Sequence, residues 1–331
     1  MRVLFIGAGG NISEDCAALL HARGHEIVGL TRGRSGLPDY CRPVIADRKD
    51  RGAMRGAFGQ AAADVVVNFL GYDVADVALD YEMLAGRIRQ YIFISTAAAY
   101  VKPPLSLPVT EREPLGNRFW DYAKKKEACE RWLWERRDRD GFPVTIVRPS
   151  HTYSPRWFPN LMGSAARTLA IRLEAGKPVF VPDDGRNLWT LTASSDFAAG
   201  FAGLVGNESD IGEAFHITSD EALSWVEIIE ETGRALGVGS PDIKRIPLDW
   251  LCERFPQMEG PLRGDKANTA IFDNSKIKRF VPGFRCAKPF AIGIRESVAW
   301  YRGAPDRRVG DDKIDCLYDD ITAAWAAAGT D

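Results

Sequence analysis

Across the first 150 residues, apolar and polar positions follow two alternating rhythms. Short runs, apolar on both faces, recur at residues 2–7, 25–31, 43–46, 64–70, 91–95 and 144–147. Between them lie stretches of helical periodicity at 11–23, 50–60, 75–89 and 120–139. Strands that are apolar on both faces belong to a parallel sheet with helices on either side. The pattern therefore predicts an α/β protein with a doubly wound parallel sheet. A loop carrying Pro103, Pro104, Pro108 and Pro114 precedes the longest helix.

Beyond Pro149 the rhythm loosens. Irregular loops are expected at 153–159 and 182–186, helices near 195–206, 223–236 and 289–302, and a closing helix at 321–328. The division that follows is a cofactor-binding domain over 1–175, with segments near 190–218 returning to it, and a smaller C-terminal α/β substrate lobe over 176–331.

Composition narrows the classes. With 331 residues, 43 Lys and Arg against 45 Asp and Glu, and a net charge of −2, the chain lacks the basic excess of a nucleic-acid binder. Its six cysteines are dispersed and histidines number only four, so no metal site is expected. The opening run 2–6 reads as a strand, so no signal segment is expected, and no apolar window is long enough to span a membrane. A cytoplasmic location is the expectation.

Chemistry enters with Gly7-Ala8-Gly9-Gly10-Asn11-Ile12-Ser13, which follows the first strand and opens the first helix. Glycines there let the backbone turn sharply and approach a pyrophosphate that the helix N-terminus stabilises. Ser13 stands where the third glycine of a dinucleotide fingerprint would be. At the end of the second strand, Thr31-Arg32-Gly33-Arg34 carries two guanidinium groups and no carboxylate. This favours a ribose 2′-phosphate, hence NADP, with NAD as the alternative. Asp47 and Arg48 end the third strand near the adenine, and Leu70 and Gly71 end the fourth beside the cofactor.

Tyr122 and Lys126 are four residues apart and share a helix face. The spacing places the Lys126 ammonium beside the cofactor ribose and the Tyr122 phenol, bringing the phenol down toward neutral pH for acid/base work. Ser95 and Thr96 end the preceding strand, where open α/β sheets build their sites. Thr96 positions the reacting oxygen for Tyr122.

With these residues in order, the sequence resembles the extended short-chain dehydrogenase/reductases, the NAD(P)-dependent epimerase/dehydratase family. The likeness continues through Tyr100, Arg148-Pro149-Ser150-His151-Thr152-Tyr153-Ser154-Pro155, Asp184-Gly185, Asp196-Phe197-Ala198, Ala214-Phe215-His216-Ile217 and Asp273-Asn274-Ser275-Lys276. The resemblance implies a Rossmann-type fold, catalytic roles for Thr96, Tyr122 and Lys126, a nicotinamide bordered by Pro149 and Ser150, and a homodimer packed through the 120–139 helix.

Departures from the family pattern narrow the chemistry. Ala97, Ala98 and Ala99 occupy the positions where family dehydratases carry carboxylates, which disfavours elimination. His151 and Trp189 stand where nucleotide-sugar enzymes carry an Asn and an Arg that hold the pyrophosphate. Arg186, Arg263 or Arg156 are the candidate substitutes, and Trp120, Trp157 and Trp189 are candidates to stack on a free sugar or polyol. His151 is read as a structural or substrate-contacting residue, since Tyr122 already supplies acid/base function. The expected activity is hydride transfer at a secondary hydroxyl or ketone of a carbohydrate-like substrate. An epimerase that retains NAD and a non-catalytic RNA-binding relative are the alternatives.

Overall fold

The structure is a computed structural model that describes residues 1–33, 36–162 and 167–329. Its first half alternates β1 (Arg2–Ile6), α1 (Ser13–Ala22), β2 (Glu26–Thr31), β3 (Cys41–Ile45), α2 (Arg51–Ala61), β4 (Val65–Asn68), α3 (Val74–Leu84), β5 (Gln90–Ile94), α4 (Asp121–Asp140) and β6 (Val144–Pro149). Then come β7 (His151–Tyr153), α5 (Thr168–Glu174), β8 (Val179–Pro182), β9 (Leu188–Trp189), β10 (Leu191–Ala193), α6 (Ser194–Leu204) and β11 (Ala214–Ile217). The remainder holds β12 (Leu223–Ser224), α7 (Trp225–Leu236), β13 (Ile243–Ile246), α8 (Leu248–Arg254), α9 (Glu259–Pro261), a π-helical turn (Leu262–Lys266), α10 (Ser275–Phe280), α11 (Phe290–Arg302) and α12 (Asp312–Ala327).

Seven strands form one sheet in the order β3-β2-β1-β4-β5-β6-β11, and every pairing is parallel. Val65, Val66 and Val67 of β4 are fully buried because helices cover both faces of the sheet. One face packs Phe5, Val67 and Ile92 against α1 and α6. The other packs Ile6, Val66 and Phe93 against α2, α3 and α4. A third core lies around the β8–β13 pair, where Phe180, Trp225, Ile294, Tyr318 and Ile321 meet.

Several boundaries differ from those read in the sequence. The closing helix begins at Asp312 rather than 321, because Asp311 caps it by accepting from the N–H groups of Lys313 and Ile314. Residues 223 and 224 form a strand paired with β9, and the following helix starts at Trp225 behind a capping box of Ser224 and Glu227. The strands β8 and β13 were not singled out in the α/β lobe expected there. Fully buried Arg172 joins α5 to α12 through Asp315 (2.6 Å) and Asp319 (2.8 Å).

Strand order reverses at β1, which has β2 on one side and β4 on the other. That is the switch point where open α/β sheets leave a crevice beyond their strand ends. The segments after β1, β4 and β5 all emerge there.

Candidate active site

A cavity of about 540 Å³ occupies this crevice. Its lining includes Gly7, Gly10, Asn11, Ile12 and Ser13 of the glycine loop, Leu70, Ser95, Lys126, Pro149 and Ser150, and Thr96, Ala97, Trp120, Tyr122, His151 and Trp189. The residues proposed from the sequence for catalysis therefore share a cavity with the glycine loop.

The glycine loop is shaped by two contacts. Gly7 adopts φ +97°, and a Cβ there would sit 2.7 Å from Leu70 Cγ, so backbone strain and space both require glycine. The Ser13 hydroxyl donates to the Gly7 carbonyl (2.6 Å) and accepts from the Gly10 N–H (2.8 Å). In place of a third glycine, the serine thus ties the turn to the start of α1. No side chain caps that helix N-terminus, and the first-turn carboxylates Glu14 and Asp15 are engaged by Arg156 and Ser194. The helix start is therefore left open for an anion. Ser95 Oγ and Asn11 Oδ1 are buried without a hydrogen-bond partner, and both residues line the cavity. Orphaned buried polar atoms call for a partner, and these fit a polar cofactor lying between loop and strand end.

Thr96 Oγ1 accepts from the Ala98 N–H (3.2 Å). Its own O–H is then free to donate to the Tyr122 phenol, where it favours phenolate. Burial dominates nonetheless: with the neighbouring Tyr72 phenol and the Asp265 carboxylate, it pushes Tyr122 up to about 12. The sequence predicts a phenol brought down by Lys126, and the protein alone does the reverse. Lys126 is committed elsewhere: its Nζ donates 2.7 Å to the Ile94 carbonyl and lies over the rings of Phe93 and Tyr72. Burial brings this ammonium down to about 8, against the pull of Cys129, Glu130 and Asp76.

His151 meets Trp189 and Trp225 edge to face, each at a centroid distance of 6.2 Å. Burial, reinforced by the Lys266 charge, brings its imidazole down to about 3, so it is neutral at physiological pH. Trp189 is 3% exposed and its indole N–H donates to the Lys266 and Asn268 carbonyls. It offers an edge of wall more than a free stacking face.

Other residues singled out from the sequence lie outside the cavity lining. Gly9 and Gly71 belong to its supporting loops, while Thr31, exposed Arg32 and exposed Asp47 stand at the ends of β2 and β3. Arg34 falls outside the described residues. Arg48 is turned into the fold, where it pairs with Asp76 and with buried Asp80. Arg263 is drawn to Asp249 (2.7 Å) and Glu259, Arg156 to Glu14, and Arg186 is exposed on a turn. None of these three arginines lines the cavity. Conversely, Tyr72, Asp265 and Lys266 line the cavity without having been singled out. An exposed-looking tyrosine after β4 and an Asp-Lys pair before α10 carry no local signal, because distant segments bring them together.

The model of the NAD dependent epimerase/dehydratase family matches residues 74–218. A 3-diazoavenalumate denitrifying reductase from a Streptomyces species is 43% identical over 301 residues, covering 82% of this chain and 95% of that protein. The chloroplast stem-loop binding protein of 41 kDa b from Arabidopsis thaliana is 25% identical, and the match spans 65% of its length. Among solved structures, UDP-glucose 4-epimerase from Thermotoga maritima superposes with a TM-score of 0.75 at 18% identity, over 92% of this chain and 99% of that one. The chain belongs to the NAD dependent epimerase/dehydratase family.

Proposed function

We propose that the protein is an NAD(P)H-dependent reductase acting on a small carbonyl compound that is not joined to a nucleotide, with Tyr122 as the proton donor. The observation that carries this reading is the meeting of Tyr122 and Thr96 in a cavity that the glycine loop also lines. The nicotinamide, when bound, supplies or accepts the hydride. The Gly7–Gly10 backbone and the start of α1 would hold the pyrophosphate, Lys126 would meet the ribose, and Pro149 and Ser150 would border the nicotinamide ring.

A phenol raised to about 12 is protonated at neutral pH, which suits donation more than abstraction. Tyr122 gives its proton to the oxygen that becomes a hydroxyl, and the Thr96 hydroxyl steadies the phenolate that remains. The alanines at 97 to 99 provide no carboxylate to shuttle protons at adjacent carbons. The 43% identical relative bears the name of a reductase, which agrees with this direction. For the cofactor, Arg32 at the end of β2 supports NADP, with NAD as the alternative. A second reading, a nucleotide-sugar epimerase that keeps its NAD, draws support from the full-length likeness in fold, but Arg156, Arg186 and Arg263 do not line the cavity. A homodimer through α4 is part of the proposal.

The test is consumption of NADPH by the purified protein with a panel of small ketones, sugars and nucleotide sugars. Net oxidation with free ketones supports the reductase. Nicotinamide retained through gel filtration, with interconversion of sugar epimers, supports the alternative.

A further inference from the structure

Thr96 and Tyr122 stand on either side of the proline-bearing loop, and Asp265 and Lys266, which line the same cavity, come from the π-helical turn far along the chain. One side chain holds these three segments together. Asn117, 1% exposed, donates through Nδ2 to the Ala98 carbonyl (2.7 Å) and to the Gly264 carbonyl (2.5 Å). Its Oδ1 accepts from the N–H groups of Phe119 (3.1 Å) and Trp120 (3.3 Å). Both amide protons and both oxygen lone pairs are thereby used, which is the full capacity of an asparagine. The amide cannot be turned over, since its oxygen would then face two carbonyls and its nitrogen two N–H groups. Asn117 does not itself line the cavity.

Each of these bonds ends close to a residue of the site. The Ala98 N–H donates to Thr96 Oγ1 (3.2 Å) while the Ala98 carbonyl accepts from Asn117, so Ala98 passes the position of the amide on to the Thr96 hydroxyl. At Trp120, α4 starts without a side-chain cap of its own. Asn117 takes two N–H groups just ahead of that start and sets how the chain enters the helix, whose first turn carries Tyr122. Gly264 immediately precedes Asp265 and Lys266. A Cβ on it would sit 2.9 Å from Trp120 Cβ and 3.3 Å from Asn117 Oδ1, so glycine lets the turn close on the amide.

We propose that Asn117 is a positioning residue that sets the Thr96 hydroxyl against the Tyr122 phenol and ties this pair to the π-helical turn in the cavity wall. The proposal rests on the reading of Tyr122 as the proton donor and deepens it. An amide that served stability alone would leave the ionisation of the phenol unchanged in a folded variant.

Protein labelled with 3-fluorotyrosine tests this by fluorine NMR without substrate, the Tyr122 line being the one absent from Tyr122→Phe. The titration midpoint of that line is followed with pH in the wild type, Thr96→Val and Asn117→Ala. Thr96→Val removes a donor to the phenolate and should raise the midpoint by about 0.5 to 1 pH unit, the worth of one hydrogen bond. Asn117→Ala should raise it in the same direction by a comparable amount, while the lines of Tyr301 on α11 and Tyr318 on α12, which the amide does not reach, stay in place. A folded Asn117→Ala with the wild-type midpoint at Tyr122, a displacement shared by all tyrosine lines, or an unmoved midpoint in Thr96→Val overturns the proposal. Where Asn117→Ala does not fold, Asn117→Ser, which refills part of the space and keeps one donor, is read by the same criterion. Because no turnover is measured, a failure to oxidise NADPH with ketones would refute the reductase reading and leave the result for Asn117 to stand by itself.

Discussion

Residue chemistry in the cavity leads to two predictions. Tyr122→Phe should bind cofactor as the wild type does and lose about 10²- to 10⁴-fold in kcat, the usual weight of a positioned acid. Lys126 has an opposite effect on stability. Burial lowers it from 10.5 to about 8, so between those values the unfolded chain binds more protons than the folded one, and stability rises with pH through that window. Lys126→Met should therefore be more stable than the wild type at pH 7, by up to about 3 kcal/mol less its lost bond to Ile94, while losing activity. Thermal scans from pH 6 to about 10 should show the gap closing above pH 8. A less stable Lys126→Met at pH 7 would contradict the account. At this scale the sequence was legible where spacing is local, as in Gly7 to Ser13 and Tyr122 with Lys126. It was silent on Tyr72, Asp265 and Lys266, whose neighbours lie far away along the chain, and it misdirected Arg48 and Arg263, whose carboxylate partners only the fold reveals.

Elements were legible in proportion to their burial pattern. The strands of the main sheet read as continuous apolar runs because both faces are covered, and the crossover helices alternate with them. β7, β9, β10 and β12 are two or three residues long and pair with distant segments, so periodicity has too few positions to register them. Two elements carry testable weight. Arg172→Met removes the buried cation that joins Asp315 and Asp319 on α12; because both carboxylates are partly exposed and keep Lys177 as a partner, the cost is about 1–3 kcal/mol, measurable by urea unfolding. Ser13→Gly restores the three-glycine spacing but removes both hydrogen bonds that tie the loop to α1. Cofactor affinity measured by calorimetry should fall roughly tenfold.

At the scale of the whole molecule, the cavity is assembled from distant parts of the chain: the glycine loop, the ends of β4 and β5 and the start of α4 meet β7, β9 and the π-helical turn around it. Arg32→Ala should raise the Kd of NADP about tenfold and leave that of NAD nearly unchanged. Among the described residues no helix is long and apolar enough to cross a membrane. The proposed α4 contact predicts a particle of twice the 36.6 kDa chain by light scattering.

The central claim is that this cavity reduces its substrate with a hydride from nicotinamide and a proton from Tyr122. It is tested most directly by mixing NADPH carrying deuterium at the transferable position with ketone substrates, for wild type and Tyr122→Phe. The account predicts one deuterium per product molecule, one NADPH oxidised per turnover, and a rate about 10²- to 10⁴-fold lower in the variant. Product without deuterium, or an unchanged rate in Tyr122→Phe, would contradict it.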